Sequence, residues 1–123
     1  MRLYVPAGGD DLRRLERDGR LDGGGLTAFA VTPWAQAELG VDDPEDEEAE
    51  YAVLAAAADE QPGTPAPAAV LVFDLPGADL PSDGLRVTVG HDLVRRRLVA
   101  VHVLPDLDWY AGQELPDVVA ALG

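Results

Sequence analysis

Short apolar runs alternate along the chain with polar stretches punctuated by glycine and proline, and the spacing within each run predicts its element. Residues 2–5 (RLYV) form a strand candidate that ends at Pro6. Gly8 or Gly9 then caps a helix over residues 10–18, with Leu12 and Leu15 as its apolar stripe, acids early, arginines late and Gly19 as its stop. LTAFAVT (26–32) is a second strand. Its last residue begins a Thr-Pro pair, the signature of an N-cap followed by proline at the first helical position, and Gly40 closes the helix so opened.

The same grammar recurs in VDDPEDEEAEYAVLAAAADE (41–60), where Asp43 is the expected N-cap and Pro44 the first helical residue. Tyr51, Leu54, Ala55 and Ala58 recur at helical spacing and predict the buried face. QPGTPAP (61–67) is a stiff connector. AVLVFDL (69–75) reads as a buried strand, LRVTV (85–89) as an edge strand and RLVAVHVL (97–104) as a central one. From Asp106 the tail predicts a helix holding Trp109 and Tyr110, interrupted near Pro116. The order βαβααβββα predicts one α/β (α+β) domain over residues 1–123, two-layered, with helices packed on a mixed sheet of about five strands.

Charge narrows the function classes. The net charge is −14, and residues 26–84 hold thirteen acids and no basic residue. Such a field repels nucleic acid and anionic membrane and favours a cationic partner. The nine basic residues are all arginine, and Lys, Ile and Asn are absent, which points to high-GC coding bias. The absence of cysteine excludes disulfides and thiol chemistry. No signal-peptide pattern opens the chain and no apolar run approaches the roughly 20 residues of a membrane span, so a cytoplasmic location is expected.

RLYVP, LTAFAVTP, EYAVLAAA, VAVHV and WYAGQELP, in this order, span almost the whole chain. Together they resemble an uncharacterised actinobacterial family of unknown function, whose members begin MR-V/L-Y-V/L-P and carry TAFAVTP, an EYA helix, a VHV strand end and a WYA-x-QE segment. The chain departs from that pattern in a shorter helix after Tyr51 and in the brief LPDLD between VHV and WYA. The resemblance implies fold and lineage, and no reaction.

Candidate chemistry is sparse. Residues 42–50 hold seven carboxylates. They lack the internal glycine of a calcium loop and point around most of a helical wheel, so they predict a solvated, dipole-favoured helix start. Glu45, Glu47 and Glu48 are the residues expected to meet a basic protein partner. His102 with Asp106 and Asp108, at a strand end, could bind metal or move a proton, with Glu114 completing the set; the competing reading is a buried core histidine beside helix-capping aspartates. On a helix Trp109 would lie one turn from Gln113, and Tyr110 one turn from Glu114, which offers a pocket or interface; the competing and preferred reading has Trp109 packed on the sheet and Glu114 solvated. GGDD (8–11) resembles a phosphate loop, but two aspartates repel phosphate and no P-loop lysine follows. Arg95 to Arg97 are too few for a nucleic-acid footprint and are expected to pair with the acidic half. Ser82 is the sole serine, and no nucleophile elbow exists.

These features predict a non-catalytic protein-interaction or regulatory module that needs no cofactor or metal and has a basic protein partner, with no direct nucleic-acid or membrane binding. The alternatives are a small enzyme or metal-binding protein built on His102, Asp106 and Glu114, and a nucleic-acid mimic.

Overall fold

The computed structural model describes residues 1–22, 26–43, 45–59, 68–75, 80–104 and 106–121. Pro44 and the QPGTPAP connector lie outside them. The elements run β1 (Arg2–Ala7), α1 (Gly9–Asp18), β2 (Arg20–Leu21), β3 (Thr27–Phe29), α2 (Pro33–Leu39), α3 (Glu47–Asp59), β4 (Ala69–Asp74), β5 (Ser82–Asp83), β6 (Arg86–Thr88), β7 (Leu93–Val94), β8 (Leu98–Val103), β9 (Asp108–Ala111) and α4 (Leu115–Ala121).

The α+β class stands, with more strands than the pattern predicts. Seven strands form one sheet in the order β5-β6-β3-β1-β4-β8-β9, and β2 pairs with β7 in a separate ribbon. Every pairing among the described residues is antiparallel, so the sheet is not mixed. The sheet is also the middle of three layers rather than one of two. Leu3, Val5, Leu71, Phe73 and Val101 join Leu12 and Leu15 of α1 and Leu115 and Val118 of α4 in one core. Tyr4, Phe29, Val70, Val72 and Ala100 join Val53, Leu54 and Ala57 of α3 in another. The period-two alternation of each strand thus feeds both cores. No helix among the described residues is long and apolar enough to cross a membrane.

Local signals placed α1 and α2 well. The Asp11 carboxylate accepts the Gly8 N–H at 3.1 Å, and the left-handed Gly19 donates its N–H to the Leu15 carbonyl at 3.0 Å. The Thr32 hydroxyl accepts the Ala35 N–H at 3.2 Å, with Pro33 opening α2 and Gly40 closing it.

Elsewhere pairing prevailed over local pattern. β1 continues through Pro6 because Met1 and Leu75 exchange backbone bonds, which turns the even-numbered amide positions away from β4. Pro6 therefore removes no bond from that ladder. β8 is next to the edge rather than central. Its register with β4 shifts between Val72 and Phe73, which face Ala100 and Leu98, and Val99 is left as the extra residue of a bulge. The bulge sends Leu98 to the first core and Ala100 to the second, so the strict alternation of the strand fails between them. The expected helix from Asp106 is instead β9, hairpin-paired to β8, with α4 starting only at Leu115.

Candidate functional site

The acidic stretch divides its carboxylates among three tasks. The helix begins at Glu47, and its cap is Asp46, not Asp43: Asp46 Oδ1 accepts the Ala49 N–H at 3.1 Å and the Asp46 carbonyl accepts the Glu50 N–H. Asp43 shapes the turn before it, with Oδ1 accepting the Glu45 N–H at 2.9 Å. Glu45 therefore precedes the helix. Asp42, Glu45, Glu47 and Glu48 are exposed, and no arginine pairs with them among the described residues. The buried face of α3 is Ala49, Val53, Leu54 and Ala57, and Tyr51 stands 65% exposed.

Glu50 has the third task. Arg2 Nη1 lies 3.0 and 3.3 Å from its two carboxylate oxygens, joining β1 to α3. Arg2 faces Asp74 across the β1–β4 ladder. Arg2, Tyr4, Glu45, Glu50 and Asp74 line a cleft of about 240 Å³. Tyr4, only 4% exposed, forms its inner wall. Burial, and after it the charge of Glu50, push the Tyr4 hydroxyl from 10.0 up to about 12, with Arg2 acting in the opposite sense. The hydroxyl is thus held neutral and available as a donor. The volume falls below the roughly 300–1,000 Å³ of common small-molecule pockets and suits one side chain better than a cofactor. Three carboxylates, Glu45, Glu50 and Asp74, share the cleft with the Arg2 guanidinium and the Met1 ammonium, which donates to the Leu75 carbonyl at 2.9 Å.

The C-terminal candidates are spread out. His102 sits half-buried on β8, opposite Val70 and Trp109, with Nδ1 3.4 Å from the Leu107 carbonyl oxygen. Leu107 itself adopts φ 59, unfavourable for a branched side chain, and packs against the second core. Asp106 is exposed in the hairpin turn and Asp108 is exposed at the start of β9. Glu114 lies beyond the other end of β9, where Oε1 accepts the Ala111 N–H at 3.0 Å. No group of three His, Asp or Glu side chains among the described residues is placed to hold a metal ion. Because residues 108–111 are a strand, Trp109 and Tyr110 point to opposite faces, and neither pairs helically with Gln113 or Glu114. Trp109 is 62% exposed, whereas Tyr110 packs against the first core and Gln113 is exposed in the turn after β9. Of the acids in residues 68–83, Asp74 joins the cleft, Asp83 pairs across from Arg86 at the β5 edge, and Asp79 lies outside the described residues.

Arg2, Tyr4 and Asp74 carried no motif in the sequence. Their one legible signal is the alternation in RLYVP, which sets Arg2 and Tyr4 on the same face. The resemblance read from RLYVP through VAVHV has a counterpart in a family model whose match covers β1 to β8 and the whole cleft, and stops before β9. No curated protein and no solved structure matches the chain. Since the match takes in residues 1–106, the chain belongs to DUF6912, a family of unknown function.

Proposed function

We propose that the protein is a non-catalytic, cytoplasmic interaction module that receives a basic partner on the acidic side formed by the start of α3 and the cleft below it. One observation carries this: Asp42, Glu45, Glu47 and Glu48 stand exposed within seven residues, with no arginine beside them. Helix initiation uses only Asp46 and Asp43, so the remaining like charges oppose one another unless a cation meets them. Tyr51, one turn after Glu47 and Glu48, adds an exposed ring on which an arginine or lysine can lie. The cleft at Tyr4, Glu45, Glu50 and Asp74 accepts one cationic side chain, and the exposed acids steer its approach.

Calorimetric titration with an arginine-rich peptide tests this. Glu45→Gln/Glu47→Gln/Glu48→Gln should weaken binding by at least about tenfold, since each lost charge-assisted contact is worth roughly 1 kcal/mol or more. Asp106→Asn/Asp108→Asn/Asp117→Asn changes the net charge equally outside the acidic stretch and should leave affinity within about twofold. Equal weakening by both triples would reduce the effect to net charge and overturn the assignment.

A further inference from the structure

A second surface carries the opposite sign. Arg95–Arg97 form a single 3-10 turn between β7 and β8, pinned where the Arg95 N–H donates to the Gly19 carbonyl at 2.9 Å. Four of the other arginines meet acids, in Arg2–Glu50, Arg13–Asp10, Arg17–Asp18 and Arg20–Asp92. Arg95, Arg96 and Arg97 meet none among the described residues, in a chain of 23 acids and nine arginines. The expected internal pairing with the acidic half does not form among the described residues. Arg95 is half-buried, which makes a missing counter-charge more costly than it would be at a solvated tip.

Beside this turn runs an open groove of about 610 Å³, lined by Arg95 and Arg96 and by Gln113 among others. Two backbone features shape it. The bulge leaves Val99 without a partner on β4 and 41% exposed. At Gly112 an added Cβ would overlap the Leu98 carbonyl oxygen, so only glycine lets the chain after β9 close onto the start of β8. Leu98, Val99 and Ala111 consequently line the groove together with Arg95 and Arg96, which have no acidic partner among the described residues.

We propose that this groove binds a small organic monocarboxylate, its carboxylate held by Arg95 and Arg96 and its hydrocarbon body on Leu98, Val99 and Ala111. Guanidinium forks match carboxylate and phosphate geometry alike. The net charge of −14 decides between them: it opposes a phosphate dianion more than a monoanion and excludes polyanions. The exposed valine favours a ligand with an apolar body over a bare anion. The groove is lined from β8, β9 and the turns beside them and by no residue of α3.

Two-dimensional NMR of the whole chain, titrated separately with hexanoate, acetate and inorganic phosphate, tests the assignment. Hexanoate should shift the Val99, Gly112 and Gln113 amides along a saturating curve, and acetate should bind at least about tenfold more weakly for want of buried methylenes. Arg95→Gln/Arg96→Gln should weaken hexanoate by at least about tenfold. Val99→Ser should weaken hexanoate and leave acetate unchanged. If the double glutamine variant fails to fold, Arg95→Lys/Arg96→Lys keeps the charge, loses the fork and should still weaken hexanoate severalfold. Shifts that never saturate, shifts unaltered by the arginine variants, or phosphate binding as tightly as hexanoate would each overturn the proposal.

Discussion

Beneath α1 and α4 the sheet presents Leu3, Val5, Leu71 and Phe73, all fully buried, whereas beneath α3 it presents Tyr4, Val70, Val72 and Ala100 and then passes into charge at Asp74 and at Arg2, which meets Glu50 of α3. The two faces are made by the same strands, residue by alternate residue. Their helices differ in kind. α1 and α4 contribute leucines and a valine, but the buried side of α3 includes Ala49 and Ala57, which allow a close approach and bury little area. The first face is therefore expected to carry more of the stability. The second leaves its polar groups at the rim, where the cleft opens.

The largest expected effect tests that inequality. Phe73→Ala in the first core should cost about 3–5 kcal/mol, and Val53→Ala in the second about 2 kcal/mol or less. Urea unfolding of both variants checks the ranking, and equal losses would mean that the faces share the load. Gly112→Ala strikes where the bulge exchanges residues between faces. An added methyl against rigid backbone should cost about 3 kcal/mol and should disturb the amide signals of both Leu98 and Ala100.

A third measurement isolates the polar rim. Because Tyr4 is raised to about 12 in the folded chain, the unfolded chain loses that proton first as pH climbs above 10. The stabilisation is complete below pH 10 and is lost between 10 and 12, amounting to roughly 2 kcal/mol. Alkaline unfolding of Tyr4→Phe should lack that component of the decline, and a decline identical to the parent's would remove Tyr4 from the cleft's electrostatics. Smaller again, Asp46→Ala should cost about 1 kcal/mol by thermal melting, and Asp43→Ala distinctly less, since only Asp46 caps α3. Glu47→Gln and Glu48→Gln should each change stability by only a few tenths of a kcal/mol, because their role in the fold is limited to the helix dipole. A loss near 1 kcal/mol at either would reveal a structural contact on the face assigned to a partner.

How far the sequence could be read depended on the range of the interaction. Thr32, Pro33 and Gly40 bound α2 through contacts spanning at most four residues, and Gly8, Asp11 and Gly19 do the same for α1. The helix start at 43–47 failed because Asp43 and Asp46 are both competent caps. Only the seating of Ala49 and Val53 on the sheet selects the later one. Tyr51 was misplaced for the same reason: a run of alanines leaves the helical face open to more than one rotation.

The sequence alone determined the charge distribution, the capped helices, the buried strands and the family resemblance, each written in near neighbours or in bulk composition. Tertiary structure decided the strand order, the third layer, and the pairing of DWYA with AVHV that turns an expected helix into β9. It also decided the candidate sites. Arg2 meets Glu50 across 48 positions, and Arg95 shares a groove with Gln113 only because a bulge and a glycine close one hairpin end. Such convergence rests on chain closure and cross-strand packing, which favour one arrangement only when the whole sheet is assembled.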